Sequence, residues 1–175
     1  MQERLQVAAV VLAAGAATRF GAPKQALLLA EVLDRARASE AIGDLVVVLG
    51  AHEVETDARV VHCPEWELGG GASLRCGLRA LADETRAAVI LLADGPELAA
   101  AAIDRVVEAW RSGAGEVVAA SYGGVRGHPV LLGRAVWDDV PDEGARALDP
   151  VLVPCDDLGA PGDVDRPEDL PERFR

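Results

Sequence analysis

Two segments of this 175-residue chain combine residue types and spacings suited to phosphate chemistry. The first runs Leu12-Ala13-Ala14-Gly15-Ala16-Ala17-Thr18-Arg19-Phe20-Gly21-Ala22-Pro23-Lys24. Small residues after an apolar run let backbone amides approach a polyanion closely. Arg19 and Lys24 add fixed positive charge. Of the 17 basic residues, Lys24 is the only lysine, a compact ammonium kept in an arginine-rich composition. The loop suits a triphosphate, yet it is neither a Walker loop nor a G-x-G-x-x-G turn. The second segment is Leu91-Leu92-Ala93-Asp94-Gly95-Pro96. A carboxylate at the tip of a buried strand is placed to hold a hard cation such as Mg²⁺. Taken alone, Asp94 reads more readily as a turn or cap aspartate before Pro96.

Three further segments carry weaker signals. The acidic stretch Pro161-Gly162-Asp163-Val164-Asp165-Arg166-Pro167-Glu168-Asp169-Leu170 offers a second carboxylate to the same ion, or is a solvated C-terminal segment. Gly69, Gly70 and Gly71, between Trp66 and a helix capped by Ser73, form a run that can wrap a flat ring or serve as a plain loop. Gly127-His128-Pro129 and Asp142-Glu143-Gly144-Ala145-Arg146 lie further on. Arg146 could hold an acceptor phosphate or be a surface arginine. The histidines lack metal-ligand spacing, and no nucleophile elbow or paired-cysteine redox motif occurs. Cys63, Cys76 and Cys155 form no close pair in sequence and fit reduced thiols.

The elements that must position these residues alternate. Apolar runs at Val7–Leu12, Leu45–Leu49, Arg59–His62, Ala87–Ala93, Val117–Ser121, Val130–Leu132 and Val151–Val153 predict strands. Helical spacing predicts helices over Leu27–Ala38, Ser73–Leu81 and Ala99–Arg111, with a closing turn at Pro167–Leu170. Strands alternating with helices imply a mostly parallel sheet covered on both faces, with ligands at the carboxyl ends of its strands. No linker or repeat divides the chain, which reads as one domain.

Composition excludes other classes. A net charge of −12 argues against nucleic acid, and the apolar runs are too short for a membrane span. Half of the residues are hydrophobic, which excludes general disorder. The N-terminus lacks a signal-peptide layout, so a cytoplasmic location is expected.

The order of the pieces resembles the MobA-like nucleotidyltransferases, in particular the molybdenum cofactor cytidylyltransferase branch. The first segment matches L-A-A-G-x-x-x-R-F-G-x-P-K at every fixed position. Trp66, Gly69, Ser73, Leu74 and Gly77 match W-x-x-G-x-x-x-S-L-x-x-G-L. Gly127-His128-Pro129 and Asp142 to Arg146 match the acceptor half, and Asp163-Val164-Asp165 with Pro167-Glu168-Asp169-Leu170 the closing acidic motif. The resemblance implies a single Rossmann-like three-layer α/β domain over 1–175, with a mostly parallel mixed sheet of the nucleotide-diphospho-sugar transferase type.

It also implies transfer of a nucleoside monophosphate, CMP from CTP, to the phosphate of a molybdopterin-type acceptor, with pyrophosphate released. Leu12, Ala13, Ala14, Gly15, Gly71 and Ser73 would bind the nucleotide, with Arg19 and Lys24 on its phosphates. Arg19, Lys24 and Asp94 would be catalytic, and Asp94 and Asp165 would hold Mg²⁺. Gly127, His128, Pro129, Gly144 and Arg146 would bind the acceptor. Ala14 stands where guanylyl-transferring relatives tend to carry glycine, which favours CTP. A molybdenum-dependent oxidoreductase would be a partner for the product. Gly95 replaces the family's usual glutamine, and the chain is short after Gln25, Glu55 and Val140 against the pattern. A non-catalytic cofactor- or nucleotide-binding protein and a sugar-phosphate nucleotidyltransferase are the alternatives.

Overall fold

The computed structural model describes residues 6–15, 22–162, 164 and 167–175, without the side chains of 22–24 and 167. Arg19, Asp163 and Asp165 lie outside the described residues, as does the side chain of Lys24.

The apolar runs become the strands of one sheet. In chain order the elements are β1 Val7–Ala13, α1 Ala22–Arg37, β2 Asp44–Leu49, β3 Arg59–His62, α2 Gly70–Arg79 and β4 Ala87–Leu92. There follow α3 Ala100–Arg111, β5 Val117–Tyr122, β6 Val125–Gly133 and β7 Val151–Pro154. The strand order is β3-β2-β1-β4-β6-β5-β7. β1 pairs parallel with β2 and β4, β2 with β3, and β5 with β7. β6 runs antiparallel to both β4 and β5. The expected mixed, mostly parallel sheet is therefore present. Among the described residues no helix is long and apolar enough to cross a membrane.

Strand alternation sorts the core into two faces. Val7, Ala9 and Val11 pack with Leu29, Val32 and Leu33 of α1 and with Ile103, Val106 and Val107 of α3. Ala8 and Val10 point the other way, to Leu74 and Leu78 of α2 and to Trp137. The result is three layers. Each fully buried aliphatic side chain contributes about 1.5–3 kcal/mol before the entropy of ordering it. Gly77 sits where α2 crosses the sheet. A Cβ there would come within 2.6 Å of Val10 and 2.9 Å of Val48, so its absence lets the helix press onto β1 and β2.

Three sequence expectations are corrected. α1 starts at Ala22 rather than near Leu27, because Pro23 is compatible with a first helical turn and nothing interrupts the chain to Arg37. α2 starts at Gly70, and Gly69 rather than Ser73 is its N-cap, without a side-chain cap bond. Ser73 lies inside the first turn, its N–H donating to the carbonyl of Gly69. Cys63 and Cys76 are not separate thiols but form a disulfide across 13 residues, because α2 returns past the end of β3 and brings their Cα atoms to 5.8 Å. Cys155 is buried and free.

Candidate functional site

The strand order reverses direction around β1 and β4, the position where open sheets part to admit ligands. A cleft of about 290 Å³ opens there. Leu12, Ala13, Ala14 and Gly15 at the end of β1, Ser73 of α2 and Asp94 beyond β4 all line it, so six predicted residues from three segments converge. Gly70, Gln25 and Leu28 also line it. The methyl groups of Ala13 and Ala14 and the bare Gly15 leave this part of the lining to backbone. The N-terminal turns of α1 and α2 contain no acidic residue and reach this cleft through Gln25, Gly70 and Ser73. Two positive helix ends facing one cleft favour an anion.

Gly71 does not line the cleft. A Cβ on it would overlap the Pro141 carbonyl oxygen at 1.8 Å, and its N–H donates to the carbonyl of Asp142 at 3.0 Å. Arg75 of α2 tightens the same seam, donating to the Val140 carbonyl at 2.9 Å and pairing with Asp142 at 2.7 Å. The glycine run is thus divided: Gly70 faces the cleft and Gly71 lets the 140–144 segment dock on α2.

Asp94 sits just past β4 with its Oδ1 shut off from solvent. The N–H of Val164 donates to the Asp94 carbonyl at 3.1 Å, which brings the closing acidic segment back to the end of β4. Val164 lines the cleft and packs with Leu28, Leu170 and Phe174. Arg173 fastens this corner by pairing with Glu97 at 2.7 Å and Glu31 at 3.5 Å. Among the described residues no group of three His, Cys, Asp or Glu side chains could enclose a metal. Mg²⁺ does not demand such a cage: one or two carboxylates with water and substrate phosphates suffice, and a sheltered carboxylate beside an anion cleft fits it.

A second cleft, of about 450 Å³, lies on the other side of β4 and shares Leu92 with the first. Here β6 runs antiparallel to β4, so the start of β6 meets the end of β4. Between Arg126 and Val130 strand β6 advances four residues while β5 advances two, from Ser121 back to Ala119. This bulge holds Gly127 and His128, both of which line the cleft, and the cis peptide His128–Pro129. Tyr122 donates its hydroxyl to the His128 carbonyl at 2.7 Å. Burial, with the Cys155 thiol nearby, pushes its phenol up to about 12. Burial, then the positive Arg126, lowers His128 to about 4, so its ring is neutral at pH 7.

Pro129, Gly144 and Arg146, read as acceptor residues, do not line this cleft. Gly144 packs against Gly70 and Gly71, and Arg146 is exposed. Arg126 lines it instead, and sequence reasoning passed over it. The available signal was its place directly before Gly127-His128-Pro129.

Known structures share this architecture. The Rv0371c homolog from Mycobacterium sp. strain JC1 superposes with a TM-score of 0.76 at 26% identity, covering 95% of this chain and 93% of its own. Rv0371c from Mycobacterium tuberculosis H37Rv in complex with manganese gives 0.70 at 27%, covering 94% and 95%. The fold is also that of CMP:2-keto-3-deoxy-manno-octonic acid synthetase complexed with CTP, with a TM-score of 0.70 at 13% identity over 93% and 94%. No curated protein shows significant similarity to the chain. The MobA-like NTP transferase domain matches residues 9–150, which span the first cleft's β1 and α2, Asp94 at the end of β4, and the bulge of the second. The chain belongs to the MobA-like NTP transferase family, whose members are nucleotidyltransferases.

Proposed function

We propose that the protein transfers CMP from CTP to the phosphate of a molybdopterin-type acceptor and releases pyrophosphate. The observation that carries this reading is the contact of the two clefts at the end of β4, with Asp94 lining the first and Gly95 the second. A nucleotide in one and an acceptor in the other would meet there. Such transfer asks the protein mainly for positioning and for charge where charge develops.

The base lies against Ala13, Ala14, Gly15 and Ser73, and the helix N-termini face the triphosphate. An oxygen of the acceptor phosphate attacks the α-phosphorus in line. The bond from that phosphorus to the bridging oxygen breaks, and pyrophosphate leaves with the electron pair. Arg19 and Lys24 neutralise the leaving charge. Asp94 and Asp165 would hold Mg²⁺, which when bound supplies Lewis-acid stabilisation to the phosphates. The Val164–Asp94 hydrogen bond supports pairing these two acidic segments. Ala14 in place of glycine supports cytidine. Manganese in Rv0371c and CTP in the octonic acid synthetase are consistent with a metal and a pyrimidine nucleotide on this fold.

The test is thermal stabilisation by Mg-CTP, Mg-GTP and Mg-ATP, followed by pyrophosphate release with molybdopterin. A CTP-selective rise in Tm, lost in Lys24→Ala and Asp94→Ala, followed by release, is expected. Stabilisation without release identifies a nucleotide-binding protein that does not turn over, and no stabilisation by any nucleotide overturns the reading.

A further inference from the structure

We propose that Arg126, not Arg146, binds the phosphate of the acceptor. Arg126 is the only charged residue among the described residues that line the 450 Å³ cleft. Leu91, Leu92, Leu98, Val125 and Pro161 make the rest of the lining largely apolar. A cation in such surroundings interacts with an anion more strongly than one in water.

The guanidinium is held ready. Nη1 donates to the carbonyls of Leu148 at 2.7 Å and Arg146 at 3.3 Å, and Nη2 to that of Ala145 at 2.6 Å. These bonds go to backbone, so among the described residues no carboxylate hydrogen bond consumes the charge. Asp149 is close enough only to oppose the effect of burial. Among the described residues three of its five N–H donors are used, which leaves two for a ligand. A planar fork fixed in advance suits phosphate, because little entropy is lost when it binds. Arg146 contributes its carbonyl to this arrangement while its side chain lies outside the cleft.

The lining also selects the body attached to that phosphate. Among the described residues Tyr122, Arg126 and His128 are its only hydrogen-bonding side chains, and the Tyr122 hydroxyl is already given to the His128 carbonyl. A polyhydroxylated body would leave hydroxyls unsatisfied against the leucines. A flat phosphomonoester without sugar hydroxyls fits better than a sugar phosphate.

The inference rests on the transfer reading only in calling this phosphate the acceptor's. Its test needs no turnover and no nucleotide. The probe is 4-methylumbelliferyl phosphate, compared with 4-methylumbelliferone and glucose 6-phosphate. Binding is followed by calorimetry and by the His128 ring signals in NMR. Wild type should bind the aryl phosphate at least tenfold more tightly than either comparison compound and shift the His128 signals. Arg126→Gln should weaken it at least tenfold, Arg126→Lys should restore part of the loss, and Arg146→Gln should bind as wild type.

Mg-CTP stabilisation should be unchanged in all three variants. Its absence in wild type beside intact aryl-phosphate binding would overturn the transfer reading and leave Arg126 standing. Wild-type affinity in Arg126→Gln, loss in Arg146→Gln, or no phosphate-dependent binding by wild type overturns the assignment. Should Arg126→Gln disturb the 145–148 turn, the salt dependence of wild-type binding decides. A tighter complex at low salt supports the cation, and an indifferent one overturns it.

Discussion

The cleft at the β1–β4 junction is framed by parallel strands and two helix N-termini, its neighbour at the β4–β6 junction by antiparallel strands and a bulge. The difference has a physical origin. Parallel neighbours must be joined by crossovers, and a helical crossover starts at the carboxyl end of the strand before it, so helix N-termini gather there. The first cleft can therefore meet a polyanion with backbone dipoles and small residues. Among the described residues no residue of a helix lines the second cleft. This cleft obtains its positive charge, among the described residues, from one side chain, Arg126, and its shape from two extra residues in β6.

The largest expected effect separates the clefts by chemistry. Asp94→Ala should lower kcat/KM for transfer about 10³-fold, or roughly 4 kcal/mol of transition-state stabilisation. Pyrophosphate release measures it. Aryl-phosphate binding in the second cleft should stay within twofold of wild type. Loss of both would show that the two clefts are one cooperative unit and break the comparison.

The next effect is on stability and is confined to the first cleft's helix. The Cys63–Cys76 bond closes a short loop and ties α2 to the end of β3. Cys63→Ala with Cys76→Ala should cost about 3 kcal/mol in a urea titration. Because α2 presents Gly70 and Ser73, Mg-CTP affinity should fall as well. Binding in the second cleft should not change, since none of its lining comes from α2.

The central strands were legible because five- and six-residue apolar runs such as Leu45 to Leu49 and Ala87 to Leu92 have little else to become. The site's first half was legible through a motif of fixed spacing, from Leu12 to Gly15, and through Asp94 at a strand end. Pairings between distant or helical positions were not. Cys63 and Cys76 stand 13 residues apart, and only the return of α2 past β3 makes them neighbours. The glycine run gave no sign that Gly70 and Gly71 face opposite ways. Arg146 stands out in the sequence because it ends a recognisable motif, while nothing in the sequence reading drew attention to Arg126. Which arginine lines a cleft is decided by the bulge and by the carbonyls of 145–148, both tertiary features.

Adjacent glycines sharpen the contrast on a smaller scale. Gly71→Ala should cost about 1–3 kcal/mol in urea, because its Cβ meets the Pro141 carbonyl and the seam must open. Gly70→Ala has open space around its Cβ and gains helix propensity, so stability should rise by up to about 1 kcal/mol. Gly70 lines the cleft, so the stabilised variant should bind Mg-CTP more weakly. An equal loss of stability in both would mean that the run packs as a unit.

The smallest effect belongs to the second cleft and is one of pH. His128 has a folded value of about 4 against about 6.5 in an unfolded chain, with burial the larger cause and Arg126 the smaller. Between these values the unfolded state binds more protons, so stability rises with pH across that window and is level above it. The contribution is complete above about 6.5 and is lost as pH falls towards 4. Between pH 7 and pH 5 it amounts to about 1 kcal/mol after allowance for partial exposure of the ring. His128→Gln should show that much less loss in paired urea titrations at the two pH values. Arg126→Gln should raise the NMR titration midpoint of His128 only slightly, since it removes the lesser cause and leaves the ring buried. A rise to the unfolded value would reverse that ranking and make the Arg126 charge, rather than exclusion of water, the dominant influence on this cleft.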